Sequence, residues 1–284
     1  MAEGLLMTDL LLTIKIGINP ELGHLGGLLL TWHGIFIALG IGLGVWIGVW
    51  FARKAGFTED DAYTIALIGV PAGIIGARAL FVLENRSEFA NAQLDVFRIN
   101  QGGISLYGAL IGGVVVCLIC GFWKKLPLLR GLDAAAPGII LGQGIGRIGC
   151  LIAGDIIAQS SSLPFAVEYT NVNSPSFALR PMQFVTAYEV LGDFLILGLL
   201  VALWKFRVFK RDGLLFFVYA GLYSAMRFGI SFMRLDKEIV LGLRMAQLLA
   251  LGVIGISIIA LALILLRGAQ ATKRSAPVEP ALPS

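Results

Sequence analysis

Arginines inside otherwise apolar stretches are the residues of this chain best suited to chemistry. Each of three is the only charged residue in its run: Arg78 within 62–83, Arg147 within 134–154 and Arg227 within 213–233. A guanidinium in hydrocarbon costs about 2.5–3.5 kcal/mol even on insertion scales, so these residues predict a water- or anion-filled cavity. Two fixed guanidinium groups that open on one cavity suit a phosphate. For Arg78, which is nearest a predicted helix end, snorkelling to the membrane surface is an equal alternative.

Other polar side chains lie near the ends of further apolar runs. They supply an imidazole, two phenols, a carboxylate and an amide: His33, Tyr107, Tyr188, Glu189 and Gln247. Imidazole is the one of these groups that ordinarily changes protonation near neutral pH, which makes His33 a candidate general base. The alternative for His33 is an interfacial histidine whose partners are lipid headgroups.

The composition says what kind of protein must hold these groups. Hydrophobic residues make up 57% of the 284 residues and charged residues 14%, against roughly 25% charged in soluble domains. A water-soluble globule is therefore excluded. A net charge of +4, spread along the chain, does not indicate a nucleic-acid surface. Three cysteines in apolar runs and two histidines favour neither a disulfide framework nor a histidine-rich metal site, so we predict no metal and no cofactor.

Apolar runs long enough to cross a bilayer occur seven times. The predicted spans are 31–52, 62–83, 99–123, 134–154, 181–204, 213–233 and 245–266. Each covers about 30 Å of hydrocarbon as a helix. No stretch alternates apolar and polar residues over about ten positions, as barrel strands would. The predicted fold class is an all-α polytopic membrane protein with seven transmembrane helices.

The basic residues between the spans predict the orientation, since short cytoplasmic loops collect Lys and Arg. One set of loops carries twelve of them and the other set seven. The richer set includes Lys124, Lys125 and Arg130, together with 267–284. We therefore predict the N-terminus outside and the C-terminus in the cytoplasm.

The domain organisation follows from this orientation. An external N-terminal segment at 1–30 precedes a membrane domain at 31–266, and 267–284 is a cytoplasmic tail whose small, polar and Pro-rich composition favours disorder. The longest external connection, 155–182, is a lid, a substrate platform or simply a slack linker without a role of its own.

The predicted orientation also assigns a depth to each polar group. Every charged residue in the spans other than Asp193 is predicted to lie in the outer half of the membrane, although the residues come from different helices. We therefore predict one outward-facing polar pocket. Glycines surround Arg147 at 142–149 and Tyr107 at 102–113, and they serve either close helix packing or access of a headgroup to the backbone.

Several segments resemble a known family. The run LDAAAPGIILGQGIGRIGCLIAGD (132–155), with Arg147 between glycines, resembles the signature of the prolipoprotein diacylglyceryl transferase family. Shorter segments resemble further motifs of that family in their order along the chain: TWHG (31–34), GARALFVL (76–83), GGISLYGALIGG (102–113), TAYE (186–189) and YSAMRFGISFMR (223–234). The resemblance runs from about residue 31 to residue 266.

The resemblance implies an activity and two substrates. The diacylglyceryl group of phosphatidylglycerol passes to the lipobox cysteine thiol of a prolipoprotein signal peptide, a thioether forms, and glycerol phosphate leaves. This places the protein in the bacterial cytoplasmic (inner) membrane. Arg147 and Arg227 would hold the phosphate and stabilise charge on the leaving group. His33 would activate the thiol, which is mostly protonated at neutral pH.

The remaining site residues are assigned either because they match the family motifs or because they are predicted to lie at the same depth in the membrane. The expected catalytic residues are His33, Tyr107, Arg147 and Arg227. The expected substrate-binding residues are Arg78, Arg147, Arg227, Asp155, Tyr188, Glu189 and Gln247. Two positions are exchanged relative to the family pattern, because His33 stands where it has Tyr and Tyr107 where it has His. Ser231 stands where it has an acidic residue four positions after Arg227.

Two other functions remain open at this point. A non-catalytic paralogue that binds phosphatidylglycerol fits the departures from the family pattern. An anion-handling membrane protein fits the three arginines, although the chain has no evident internal repeat of the kind common in transporters.

Overall fold

The computed structural model describes residues 13–26, 28–84, 86–89, 106–162, 164–209, 211–240 and 242–274. Within these ranges the side chains at 25, 28, 84, 87, 88, 106, 107, 110 and 268–274 are not described. Residues 1–12 of the predicted external segment therefore lie outside the description, as do 99–105 of the predicted third span.

Helices form most of the described structure. In chain order they are α1 (Trp32–Lys54), α2 (Glu59–Glu84), the short α3 (Arg86–Phe89), α4 (Leu106–Trp123), α5 (Leu128–Ala153), α6 (Val185–Lys205), α7 (Leu214–Ser231) and α8 (Met245–Arg274). Six of them contain segments long and apolar enough to cross a membrane: Trp32–Lys54, Glu59–Leu83, Leu128–Ala153, Val185–Lys205, Leu214–Ser231 and Met245–Arg267. The apolar stretch Ile111–Trp123 of α4 is shorter. The structure thus agrees with a helical, polytopic membrane protein.

The helix surfaces fit a lipid environment. Large apolar side chains stand out from them, with Leu67 72% exposed, Ile75 68% and Leu195 74%. A soluble monomer rarely exposes such a continuous apolar surface. Lipid contact therefore explains why these helices carry few charges on any face.

The described residues contain three small two-stranded sheets that were not predicted from the sequence. Strand β1 (Ile14–Ile16) pairs in parallel with β4 (Val167–Tyr169), while β2 (Glu21–Leu25) with β3 (Leu28–Thr31) and β5 (Glu238–Val240) with β6 (Leu243–Arg244) form antiparallel pairs. Strands of two to five residues are too short to leave a recognisable alternation. The prediction of an all-α protein holds for the described residues of the predicted membrane spans.

The predicted disordered tail needs a correction at its start. Helix α8 continues to Arg274, past the predicted boundary at 267. Alanine, glutamine, lysine and arginine dominate 269–274, and these residues favour a helix. Residues 275–284 lie outside the description.

Glycines bring two pairs of helices into close contact. A Cβ on Gly44 of α1 would stand 2.7 Å from the carbonyl oxygen of Gly138 in α5, and one on Gly40 would stand 2.6 Å from that of Gly142. Between α2 and α4, a Cβ on Gly112 would stand 2.5 Å from the carbonyl oxygen of Ala72. For these glycines the structure shows helix packing, which was one of the two predicted alternatives.

The short sheets and the connection 155–182 gather at one end of the bundle, here called the sheet end. It consists of 13–31, 155–184 and 232–244, and it receives the beginnings of α1, α6 and α8 and the final residues of α5 and α7. Bridges join Ala158 to Arg234 and Ser160 to Met182. At the opposite end, Lys124 Nζ lies 2.6 Å from Asp61 Oδ1.

The connection 155–182 has a packed core of its own. Ile156, Ala158, Val167, Tyr169 and Met182 are buried together against the end of α5 and the first turn of α6. The described part of this connection is therefore a folded platform over the helix ends. The alternative that 155–182 is a slack linker is wrong for these residues.

Candidate functional site

A buried carboxylate surrounded by arginines lies beneath this platform. Glu189, in the first turns of α6, has only 1% of its side chain exposed. Arg147 Nε of α5 lies 3.2 Å from its Oε2, and Arg227 Nη1 of α7 donates a hydrogen bond to its Oε1. Arg234 Nη1, just after α7, lies 3.7 Å from the same Oε1. We call these four residues the arginine cluster.

The cluster occupies one layer near the sheet end. Glu189 is four residues from the start of α6, Arg227 four from the end of α7 and Arg147 six from the end of α5. These offsets correspond to depths of about 6–9 Å along the helices. Arg147 and Arg227 therefore meet in one environment through their common contact with Glu189, and the outward-facing pocket on which they were expected to open stays a prediction.

Small residues let the three helices approach closely enough to form the cluster. A Cβ on Gly144 of α5 would stand 3.3 Å from Asp193 Cβ and 3.4 Å from Phe194 Cε2 of α6. A Cβ on Gly192 would collide with the Met226 side chain of α7. Bulkier residues at these two glycines would push apart the helices that carry Arg147, Glu189 and Arg227.

The cluster keeps guanidinium donors available for an additional anion. Three guanidinium groups face Glu189, and Arg234 also pairs with Asp236, whose Oδ2 lies 2.8 Å from Arg234 Nε. Glu189 contacts one nitrogen of each arginine, whereas a guanidinium has five N–H donors. Glu189 therefore fixes the arginines in place without using all the donors that a phosphate could engage.

A second buried carboxylate lies one turn deeper on α6. Asp193 is 1% exposed, and neither of its carboxylate oxygens has a hydrogen-bond partner among the described residues. Its position on α6 had suggested a location away from the pocket. The structure instead packs it against Gly144, one turn before Arg147 on α5.

A histidine and an aspartate pair one helical turn closer to the sheet end. His33 Nδ1, at the start of α1, lies 2.8 Å from Asp155 Oδ2, and each side chain is about one-third exposed. The same Nδ1 lies 3.7 Å from Cys150 Sγ. Gly149 permits this approach, because a Cβ there would stand 3.0 Å from His33 Cα.

The platform holds Asp155 in position. Gly154 ends α5 in the left-handed conformation, with φ of 69°, which turns the chain so that Asp155 faces His33. Tyr169 Oη donates to the Leu151 carbonyl at 2.7 Å, Ser174 Oγ to Ala153 at 2.8 Å and Ser176 Oγ to Gly154 at 2.6 Å. Burial raises the pKa of the Tyr169 phenol, so that it stays a neutral donor.

The structure brings together five of the predicted site residues in these two groups, namely Arg147, Arg227 and Glu189 in the first and His33 and Asp155 in the second. Their roles in catalysis or binding remain predictions.

Three other predicted residues have different surroundings. Arg78 is buried in α2, where its guanidinium lies 5.6 Å from the Phe81 ring and 5.4 Å from the Phe89 ring. Tyr188 is 44% exposed on α6. Gln247 is fully buried, and its Oε1 accepts a hydrogen bond from the Arg244 backbone N–H at 2.9 Å.

Tyr107 lies in the first turn of α4, but its side chain is outside the description. Whether the exchanged His33 and Tyr107 share a cavity therefore stays a hypothesis.

Sequence reasoning missed Arg234 as a member of the cluster. It was counted among the loop residues, because the apolar run ends at Met233. The chain continues beyond α7 in a tight turn, with backbone hydrogen bonds from Phe232 to Gly229 and from Arg234 to Ser231. The seven-residue spacing from Arg227 was the available signal, since residues seven apart share a helix face.

Comparisons with known proteins identify the family of the chain. A family model described as "Prolipoprotein diacylglyceryl transferase" matches residues 20–263. A protein of Dehalococcoides mccartyi named "Phosphatidylglycerol--prolipoprotein diacylglyceryl transferase" is 32% identical over 248 residues, which cover 86% of this chain and 93% of that protein. Proteins with the same name from Clostridioides difficile and Finegoldia magna are 35% and 33% identical, covering 81% and 80% of this chain and 89% and 88% of theirs.

Proposed function

This chain belongs to the prolipoprotein diacylglyceryl transferase family, and we propose which of its residues perform each part of the reaction. It is an enzyme that transfers the diacylglyceryl group of phosphatidylglycerol to a prolipoprotein. The acceptor atom that we assign is the thiol sulfur of the lipobox cysteine. The observation that carries the assignment of roles is the convergence of Arg147 and Arg227, from two helices, on Glu189.

The arginine cluster binds the phosphate of phosphatidylglycerol. Its guanidinium groups are fixed by Glu189 before the lipid arrives, so little reorganisation is needed as charge grows on the leaving phosphate. The acyl chains of the lipid extend along the apolar helix surfaces. Glu189 thus acts as a positioning residue, while Arg147 and Arg227 contact the substrate.

The bond changes take place at a glyceryl carbon. The cysteine sulfur forms a bond to this carbon as the bond between the carbon and the phosphate oxygen breaks, and glycerol phosphate leaves with the electron pair. His33 takes the thiol proton, with Asp155 orienting its imidazole through Nδ1. The proton then returns to solvent or to the leaving phosphate.

Tyr107, Arg78, Tyr188 and Gln247 remain proposed contributors. Tyr107 would supply a phenol near His33. Arg78 lies in α2 on the same side of the membrane as the cluster, and Tyr188 and Gln247 lie within one turn of the sheet end. These positions suit contacts with the lipid headgroup or with the signal peptide.

We further propose that seven helices span the membrane. Six of them have described apolar segments of sufficient length, and α4, whose described apolar stretch Ile111–Trp123 is shorter, is the seventh. The sheet end faces the outside of the cytoplasmic (inner) membrane, and the basic residues Lys124 and Arg130 face the cytoplasm. This orientation puts the arginine cluster on the side from which an exported prolipoprotein presents its cysteine. It also makes 13–31 and 155–184 external.

The experiment that tests this proposal measures transfer from labelled phosphatidylglycerol to a lipobox peptide by the purified protein. We expect Arg147→Ala to lose about 100-fold or more in rate, because it removes a group that stabilises the leaving phosphate. Arg130→Ala is the matched control, since Arg130 pairs with Asp212 at the opposite end, where both side chains are nearly half exposed. Full transfer by Arg147→Ala would refute the assigned role, and no transfer by the wild-type protein would favour the non-catalytic alternative.

A further inference from the structure

Three side chains at the start of α1 and the end of α5 are of the types that bind transition metals. His33 Nδ1, Cys150 Sγ and a carboxylate oxygen of Asp155 all lie within 4.8 Å of one another. We call this set the ligand cluster. The three residues come from two helices and a connection, so the fold assembles them.

The spacing is close to that of a tetrahedral zinc site. Zinc bonds of 2.0–2.3 Å place neighbouring nitrogen, oxygen and sulfur ligands about 3.3–3.6 Å apart. His33 Nδ1 lies 3.7 Å from Cys150 Sγ and 2.8 Å from Asp155 Oδ2. The distance between Cys150 Sγ and the Asp155 carboxylate, at most 4.8 Å, would have to shorten by up to about 1.5 Å, and the other two distances would have to change by less than about 1 Å, to convert this hydrogen-bonded arrangement into coordination. A sulfur ligand favours zinc over magnesium or calcium.

The surroundings also suit a metal with an open position. Cys150 is 8% exposed and packs in the core beneath the platform, whereas His33 and Asp155 are about one-third exposed. The cluster therefore has one dry side and one side open to solvent. Three protein ligands with a free fourth position are the usual arrangement in reactive zinc sites.

The same geometry disfavours a nucleophilic triad. In such a triad the histidine contacts the nucleophile with one ring nitrogen and the acid with the other. Here His33 turns the same Nδ1 toward both Cys150 and Asp155. Convergence of all three groups on one point is what a shared cation requires.

We propose that His33, Cys150 and Asp155 bind a divalent cation of the zinc class and that its binding inhibits diacylglyceryl transfer. Inhibition follows because the cation takes both the Nδ1 of His33 and the carboxylate of Asp155, so that Asp155 no longer orients the imidazole. The inhibitory part rests on the proposed function of His33. The binding part does not.

Binding is tested with cobalt(II), added to the purified full-length protein in detergent and then displaced with zinc. A thiolate ligand gives cobalt a sulfur-to-metal charge-transfer band in the near ultraviolet, so we expect this band in the wild-type protein and its loss on addition of zinc. Cys150→Ser should remove the band, and Asp155→Asn should weaken cobalt binding at least about tenfold. Cys117→Ser is the matched control, because Cys117 lies in α4 with its Sγ 3.9 Å from the Ile65 carbonyl oxygen of α2.

The outcomes separate the two parts of the proposal. No charge-transfer band in the wild-type protein, or a band that persists in Cys150→Ser, overturns the metal site. Melting curves identify any variant that fails to fold. If Cys150→Ser does not fold, the spectrum of the wild-type protein and the cobalt binding of Asp155→Asn decide whether the metal site exists. For inhibition, the zinc concentration that halves the rate should rise at least about tenfold in Cys150→Ser, relative to its own metal-free rate. Stimulation by zinc, or equal inhibition in both proteins, overturns the inhibitory part.

Discussion

Replacing Glu189 with Gln tests the arginine cluster directly, because the change keeps the size of the side chain and removes its charge. Glu189 is 1% exposed and contacts Arg147, Arg227 and Arg234. Removing one partner of a buried ion pair costs about 3–5 kcal/mol. The lower end applies here, since the amide oxygen of Gln can still accept a hydrogen bond. A loss of about 3 kcal/mol lowers Tm by roughly 6–12 °C in a domain of this size.

The phosphate of the substrate should offset much of this loss. Without the charge of Glu189 the arginine cluster is more positive, so an anion that binds it stabilises the variant more than the wild-type protein. We therefore expect phosphatidylglycerol to raise the Tm of Glu189→Gln by more than it raises that of the wild-type protein. A neutral lipid of the same acyl composition should not do so.

The assay is a melting curve of the purified protein in detergent, with and without each lipid. Asp212→Asn is the control, because its partner Arg130 is about half exposed and exposed pairs contribute at most about 1 kcal/mol. If Glu189→Gln melts within about 2 °C of the wild-type protein, Glu189 does not hold the arginines. If both lipids act equally on the variant, the cluster is not the phosphate site.

Three further variants test individual groups. Arg227→Lys keeps the charge but loses the planar fork, so we expect a transfer rate at least about tenfold lower, and an unchanged rate would mean that charge alone suffices. His33→Ala should slow transfer by about 100-fold or more, and full activity would reject His33 as the base. Tyr169→Phe leaves the Leu151 carbonyl without its hydrogen bond, so we expect a loss of about 1–3 kcal/mol in stability, measured by thermal melting, with a preserved rate once the protein is folded.

The membrane helices could be predicted closely because their signal is local. An apolar run of sufficient length identifies a span without knowledge of its neighbours. The predicted run 31–52 corresponds to α1 at Trp32–Lys54, and 213–233 to α7 at Leu214–Ser231. The three short sheets could not be found in this way, because their pairing joins segments as distant as Ile14 and Val167.

The site was predicted as a layer but not as a set of contacts. The depth of a side chain in the membrane follows from its distance along the helix. On this basis the sequence predicts Arg78, Arg147 and Arg227 in the same half of the membrane. Which of them meet depends on the order of the helices around the bundle, and sequence periodicity does not contain that order. Helix α2 packs mainly on α4, so Arg78 contacts phenylalanine rings while Arg147 and Arg227 share Glu189.

Ser231 illustrates how a departure from the family pattern can remove one carboxylate and still leave Arg227 paired. An acidic residue was expected four positions after Arg227, and Ser231 cannot supply a negative charge. Its hydroxyl donates instead to the Arg227 carbonyl at 2.7 Å. The carboxylate that Arg227 needs in a medium of low dielectric comes from Glu189 on α6. Because this carboxylate also contacts Arg147, one negative charge aligns two guanidinium groups and neutralises only one of them, and under the proposed function the phosphate of the lipid supplies the second negative charge to an arrangement already formed.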